Sequence, residues 1–425
     1  MSDTHEAVEA VWKRETARLT AAIARVTRDI GLAEELAQDA LIAALEQWPE
    51  AGIPNNPAAW LMTAAKRRAI DSLRRGRMLV QKHEELAREL ENRQQQLAAA
   101  LEEALDQSLD QVIDDDILRL VFTACHPVLA VEGRVALTLR LICGLTTAEI
   151  ARAFLVPEKT MGQRIVRAKK TLSEAHVPFE TPRGEELSRR VKSVLAVVYL
   201  IFNEGYTATS GEAWMRTALL GDALRLGRML VQLLPGEAEA FGLLALMELQ
   251  ASRSAARQGS SGDPVLLPDQ DRSLWDHAQI ERGMMALEHA QRLGGGAGNY
   301  ALQAAIAACH ARARRADETD WERIVLLYDG LIEISPSPIV ALNRAVAVGM
   351  AHGPSAGLAA VDAIAADPAL QGYHLLPSVR ADLLTQMGRL IEARQELERA
   401  IAMTQNLREQ ELLTRRLSQI DVAQA

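Results

Sequence analysis

Residues 144–172, GLTTAEIARAFLVPEKTMGQRIVRAKKTL, constrain the fold more tightly than any other stretch. Thr146 and Glu149 stand three apart in the form of a capping box, which predicts a helix starting near Thr147. Ile150, Ala153 and Phe154 give that helix an apolar face. It must stop before Pro157, because proline disfavours the helical conformation in the residue preceding it. Pro157 and Glu158 then suit the first turn of a second helix reaching about Leu172. Met161, Ile165, Ala168 and Leu172 recur at helical spacing and should face inward, with Lys159, Thr160, Gln163, Arg164 and Arg167 on the other side. Lys169 and Lys170 fall in the last turn, where the helix dipole welcomes cations. Two helices so joined form a helix-turn-helix, whose second member enters a DNA major groove with its N-terminal residues leading. Arg164 and Gln163 carry planar forks suited to base edges, and the lysines suit phosphates. The bland alternative is a solvated basic helix; cap, stop and restart in succession argue against it.

The remaining composition points to a helical protein. Aromatic residues make up 4% and hydrophobic residues 48% of the 425 residues. Alanine and leucine dominate, and no Val/Ile/Thr run bounded by turns reads as a strand. The expected class is all-α, in two to four domains. The net charge of −9 looks wrong for a DNA binder, but it is unevenly spread. Glu84 to Asp116 holds eleven acids and two bases, net −9, whereas Glu158 to Leu172 holds five bases and one acid, net +4. Binding follows the local patch rather than the average. Cys125, Cys143 and Cys309 have no paired spacing, which argues for a reducing compartment and against a disulfide frame or zinc site. No signal peptide or membrane-length apolar run is seen, so a cytoplasmic protein with no membrane partner is expected. Nothing has the spacing of a metal site, a phosphate loop or a nucleophile triad, so neither a cofactor nor an enzyme is expected.

Residues 1–80 read as a three-helix unit. His5–Arg28 carries an apolar stripe of Val8, Val11, Trp12, Leu19, Ile23 and Val26. In a second helix, Ala33–Trp48, Leu36, Ala40, Ala44 and Trp48 pack inward, and Glu34, Glu35, Asp39 and Glu46 stay exposed. Pro49–Pro57 is a loop, and a third helix runs to about Arg75 with Trp60, Leu61, Ala64, Ile70 and Leu73 apolar. Lys66, Arg67, Arg68, Arg74, Arg75 and Arg77 crowd that helix and its end. An asparagine-bearing loop beside a basic helix suits nucleic acid with unstacked bases; a plain bundle with a solvated face is the other reading.

DIGLAEELAQDALIAALEQWP followed by NPAAWLMTAAKRRAIDSLRR resembles region 2 of bacterial sigma factors of the extracytoplasmic-function (ECF) type, and LTTAEIARAFLVPEKTMGQRIVRAKKTL resembles their region 4. The resemblance implies two partners, core RNA polymerase and promoter DNA. Asp39 and Glu46 would contribute to gripping the polymerase clamp. Asn55, Asn56, Trp60, Lys66, Arg67 and Arg68 fall where the family reads and melts the −10 strand. Lys159, Thr160, Gln163, Arg164 and Arg167 would read the −35 element. Gly162 departs from the family pattern, since a polar or basic residue is usual there.

Residues 81–116 form an acidic linker ended by Asp114, Asp115 and Asp116. Its plain reading is a solvated helical spacer; its electrostatic reading is a shield that repels stray nucleic acid or docks on the DNA-binding faces. Residues 117–178 complete the helix-turn-helix domain, with supporting helices over Ile117–Phe122 and Glu132–Cys143.

The C-terminal half divides into a helical extension, 183–315, and tetratricopeptide (TPR)-like repeats, 316–425. Helices are predicted over Val191–Phe202, Leu219–Leu234, Ala238–Arg253, Trp275–Leu293 and Tyr300–Arg312. Gly388, Ala393, Leu397 and Ala400 sit at repeat spacings, and a shift of 34 places Ala359 and Ala366 opposite Ala393 and Ala400. NEGY (203–206), LLALMELQASR and VLLPDQDRSLWD resemble the ECF branch with a TPR-like extension, which is regarded as controlling activity in place of a membrane anti-sigma protein. The polar set Asn203, Glu204, Tyr206, Arg253, Asp269, Gln270, Asp271, Arg272 and Asp276 would line a ligand pocket or dock onto region 2 or region 4, or else cap helices and order a loop; a small-molecule or protein regulator is the partner expected at the C-terminal domain.

The leading expectation is therefore a sigma factor. A stand-alone ligand-sensing helix-turn-helix regulator comes second, and a TPR scaffold with a vestigial helix-turn-helix third. A simple regulator has no need of the second basic unit with its acidic companion helix.

Overall fold

The computed structural model describes residues 2–80, 109–207, 215–259, 265–404 and 407–424. All regular elements among them are helical. The chain divides into two units, 1–200 and 201–425.

In the first unit, α1 (Ser2–Thr27) packs on α2 (Ile30–Ala51), α3 (Pro57–Val80) and α4 (Leu109–Ala124). Val8, Trp12, Leu19, Ile23 and Val26 of the expected stripe are buried, with Leu36, Ala40, Ala44 and Trp48 from α2. Asp29 caps α2, its carboxylate accepting from the amides of Gly31 (2.7 Å) and Leu32 (3.1 Å). The expected loop from Pro49 is shorter than predicted: α2 continues through Pro49 and ends at Gly52, φ +82°. Proline removes only its own amide bond, and the Gly52 amide still reaches the Trp48 carbonyl (3.0 Å). Among the described side chains of α3 the buried positions are Leu61, Ala65 and Ala69, one residue from the expected Ala64, and the side chains of Ile70 and Leu73 lie outside the described residues. The aspartates expected to end the linker lie inside α4 instead. Most of the linker falls outside the described residues.

α5 (Val131–Leu141), α6 (Thr147–Ala153) and α7 (Glu158–Glu174) complete the domain. Cys125 is fully buried, its thiol 3.3 Å from the Thr138 hydroxyl, and burial pushes its pKa up to about 11. Cys143 and Cys309 are buried too, so the cysteines fill cores.

α8 (Gly184–Tyr206) takes in the NEGY run, which was expected to end its helix and instead forms its last turn. The second unit continues with α9 (Thr217–Leu233), α10 (Ala238–Ala251), α11 (His277–Arg292) and α12 (Asn299–Arg312). Next come α13 (Trp321–Ile334), α14 (Pro338–His352), α15 (Pro354–Ile364), α16 (Leu375–Gln386), α17 (Leu390–Met403) and α18 (Leu407–Gln424). From α13 onward each helix packs on the next. One core gathers Leu342, Val361, Leu384, Ala393, Leu397 and Ala400; another gathers Ile324, Val325, Leu331 and Ala347. Ala359 and Ala366 are exposed, so the 34-residue shift is out of register. Gly357 and Val361, which are buried, stand 36 positions before Ala393 and Leu397. The short 3-10 turn at Pro368–Leu370 lies in the connection where the extra length accumulates.

Candidate nucleic-acid interface

The helix-turn-helix forms as its local chemistry dictates. The Thr146 hydroxyl accepts from the Glu149 amide (3.1 Å) while the Glu149 carboxylate accepts from the Thr146 amide (2.7 Å), closing the capping box. Burial acts to raise the Glu149 pKa, but the Thr146 amide and hydroxyl together with Lys13 hold it below the ordinary value. The turn passes through Leu155 at φ +49°, and the Val156 amide bonds back to the Ala151 carbonyl (3.0 Å). Pro157 is the N-cap of α7, with Glu158 in the first turn.

Met161, Ile165, Ala168 and Leu172 are the buried residues of α7. Lys159, Gln163 and Arg167 are exposed, and Thr160 and Arg164 are half-buried. Arg164 and Arg167 border a shallow groove of about 350 Å³ with Val128, Leu129, Glu132 and Thr171. All five predicted groove-reading residues thus lie on the solvent side of one helix, four to five turns long. A Cβ at Gly162 would meet only the Thr147 methyl, at 3.9 Å, so packing does not demand the glycine.

The second candidate surface lies at the α2–α3 corner. Asn55 and Asn56 are exposed, and the Asn56 side chain accepts from the Ala59 amide (3.1 Å), capping α3. Trp60 is half-buried and meets Trp48 edge-on, centroids 5.5 Å apart. Arg67 is exposed and Arg68 half-buried on the same helix; the Lys66 side chain lies outside the described residues. On α2, Asp39 and Glu46 are exposed as expected.

Glu34 is not. It was expected on the outer face, but it is 5% exposed. Its carboxylate meets Arg140 Nε of α5 at 2.6 Å and pairs with Lys169 of α7. Both partners lie more than a hundred residues away in sequence, but Glu34 stands among Ile30, Ala33, Ala37 and Ala40 on the apolar stripe. That placement is the signal available from sequence. Asp116 is likewise buried, at 3.3 Å from Arg25 and 2.8 Å from Arg119. Burial raises its carboxyl above the ordinary value against the pull of both arginines.

In the second unit the polar set is largely engaged. Arg253 donates to the Tyr206 hydroxyl (2.7 Å), and Arg272 to the carbonyls of His310 (2.6 Å) and Ala313 (2.7 Å). Glu204 pairs with Arg216, and Gln270 donates to the Val265 carbonyl (3.1 Å). Asp271 and Asp276 cap the helical turns that follow them. These contacts are those of loop ordering and capping.

Among the described residues no group of His, Cys, Asp and Glu has the makings of a metal site. No described helix is long and apolar enough to cross a membrane.

The family model for sigma-70 region 2 matches residues 11–78, and that for sigma-70 region 4 matches residues 119–172. A third, a family of unknown function (DUF6596), matches residues 190–291. The chain is 44% identical over 389 residues to a protein of Rhizobium meliloti (strain 1021) described as uncharacterised, a match covering 91% of this chain and 90% of that protein. No solved structure matches the chain. The chain belongs to the sigma-70 family and carries a C-terminal extension. It is a non-enzymatic factor that binds RNA polymerase and promoter DNA.

Proposed function

We propose that this sigma factor is of the ECF type, and that it selects promoters by their −10 and −35 elements and initiates transcription in the cytoplasm. Lys159, Thr160, Gln163, Arg164 and Arg167 read the −35 duplex, the arginine and glutamine forks taking base edges and the lysine a phosphate. Asn55, Asn56 and Trp60 take bases unstacked at the −10 element, and Lys66, Arg67 and Arg68 track the strand. Asp39 and Glu46 contribute to the polymerase contact. Supporting this reading is one observation: a single chain carries two solvent-facing cationic helices, α3 and α7, and an outward acidic pair on α2. The C-terminal helical unit regulates activity, its paired helices forming a TPR-like scaffold for a small-molecule or protein regulator.

Run-off transcription with purified core polymerase tests the reading. The full chain should direct RNA from specific genomic templates, and deleting residues 320–425 should alter the amount. Equal RNA with and without the chain overturns the sigma assignment; equal RNA with and without residues 320–425 overturns the regulatory role. The ligand-sensing regulator draws no support from the second unit, where the polar set is largely taken up by caps and loop contacts.

A further inference from the structure

Caps and loop contacts engage the polar set of the second unit, but they leave its charge uncompensated. Arg253 directs Nη2 to the Tyr206 hydroxyl (2.7 Å) and to Gln250. Arg272 directs Nη1 to the carbonyls of His310 (2.6 Å) and Ala313 (2.7 Å) and Nη2 to the Thr319 hydroxyl (3.4 Å). Each of these partners is neutral. Three neighbouring acids are committed elsewhere: Asp271 to the Ser273 amide (2.9 Å), Asp276 to the Gln279 amide (2.8 Å), and Glu318 to the amides of Arg314 (3.1 Å) and Arg315 (3.3 Å). Among the described residues no carboxylate pairs with Arg253 or Arg272.

The fold concentrates that charge. The guanidiniums of Arg272 and Arg253 lie over the same Trp275 ring, 4.8 and 5.9 Å from its centroid. Arg257 brings a third guanidinium close by, 3.6 Å over the ring of Tyr206. Arg253 follows the C-terminal end of α10, and Arg272 meets that of α12. Each helix end carries about half a negative charge, so Arg253 and Arg272 together keep roughly one full positive charge. Burial, then the Arg253 charge, pulls the Arg272 pKa below its ordinary value, and both arginines add to the burial that keeps His310 neutral.

Two donors of the cluster are buried with no hydrogen-bond partner: Nε1 of Trp275, a residue 4% exposed, and Nε of Arg272. Buried donors are nearly always partnered, and cations withdrawn from water are normally matched by an anion. Resting on the reading of the C-terminal unit as the seat of a regulator, we propose that Arg253, Arg272 and Trp275 form a binding site for a small oxyanion, the phosphate or carboxylate group of a ligand. A planar guanidinium fork matches two oxygens of either group. Both arginines are half-buried, so a ligand reaches them from solvent. Arg253 presents Nε and Nη1 to it, and Arg272 closes on it, its Nε gaining the partner it lacks.

Isothermal titration of the full-length chain with inorganic phosphate and with succinate, at an ionic strength fixed by chloride, tests the site. At least one probe should bind saturably, one per chain, with half-saturation below about 1 mM. Binding of phosphate alone assigns a phosphorylated ligand, of succinate alone a carboxylate, and of both a site selective for charge and fork geometry. Arg253→Gln should weaken binding at least about tenfold. Arg253→Lys, which keeps the charge and loses the fork, should weaken it less. Arg272→Gln should weaken it too; where loss of the His310 and Ala313 bonds unfolds that variant, the two Arg253 variants decide. Binding of neither probe by the wild-type chain, or equal affinity in a folded Arg253→Gln chain, overturns the site. Run-off RNA unchanged by deletion of residues 320–425 overturns the regulatory reading, while the titration still decides the site.

Discussion

The indole nitrogen of Trp12 donates to the carbonyl of Gly144 across 3.1 Å, tying the first helix to the loop that opens the helix-turn-helix. Gly144 is at φ +73°, and a Cβ there would stand 2.8 Å from the Thr16 methyl and 3.3 Å from Trp12 Nε1. Both the backbone conformation and the close approach require glycine. Gly144→Ala should destabilise the first unit by about 1–3 kcal/mol, and Trp12→Phe, which removes the hydrogen bond and shrinks a buried ring, by about 1–3 kcal/mol. Denaturant unfolding followed by tryptophan fluorescence checks the first; circular dichroism suits the second.

Arg164 and Arg167 support no core, so their loss should be functional. Reversing both to Glu should abolish promoter-directed RNA while polymerase capture persists. Capture lost together with RNA would show misfolding or a polymerase-binding role instead. Asp39→Ala should do the opposite, weakening polymerase capture with promoter preference unchanged.

Gly162 lies inside α7, where a Cβ would make only an ordinary contact with the Thr147 methyl at 3.9 Å. Gly162→Ala should therefore stabilise the chain by about 0.5–1 kcal/mol. If the bare backbone serves close approach to DNA, the same change weakens −35 duplex binding in a mobility-shift assay; unchanged binding assigns the glycine no role there.

α14 and α15 touch through bare backbone. A Cβ on Gly357 would stand 2.7 Å from the Gly349 Cα. Gly357→Ala should cost about 1–3 kcal/mol, because the obstacle is main chain rather than a flexible side chain. A thermal shift within error of wild type would contradict the packing.

His310 predicts acid sensitivity in the second unit. Burial, then Arg253 and Arg272, lower its pKa to about 4. The unfolded chain takes up the proton near 6.5, so between pH 6.5 and 4 the unfolded state binds more protons. Stability should fall as pH drops through that window, by up to about 1.4 kcal/mol per pH unit from this one group. His310→Gln should flatten the slope; an unchanged slope in urea titrations at pH 6.5, 5.5 and 4.5 would contradict it.

What was legible in the sequence was what short-range chemistry determines. The Thr146–Glu149 cap, the Pro157 restart and the inward quartet of α7 all follow from residues within one or two turns of each other. Glu34 was misread because its partners come from α5 and α7, and no local pattern names them. Asp116 was misread the same way: three adjacent aspartates look like a helix end until Arg25 and Arg119 enclose one of them. The repeat register slipped because alanines are abundant on both faces, and only burial distinguishes Val361 from Ala359.

Run-off transcription with core polymerase alone, with the full chain, and with the Arg164→Glu, Arg167→Glu chain, on fragments of its source genome, tests the central claim most directly. The account predicts discrete RNA 5′ ends that appear only with the unaltered chain and sit at a constant distance from shared upstream elements. RNA no more abundant or specific than polymerase alone produces, on every fragment, would contradict it.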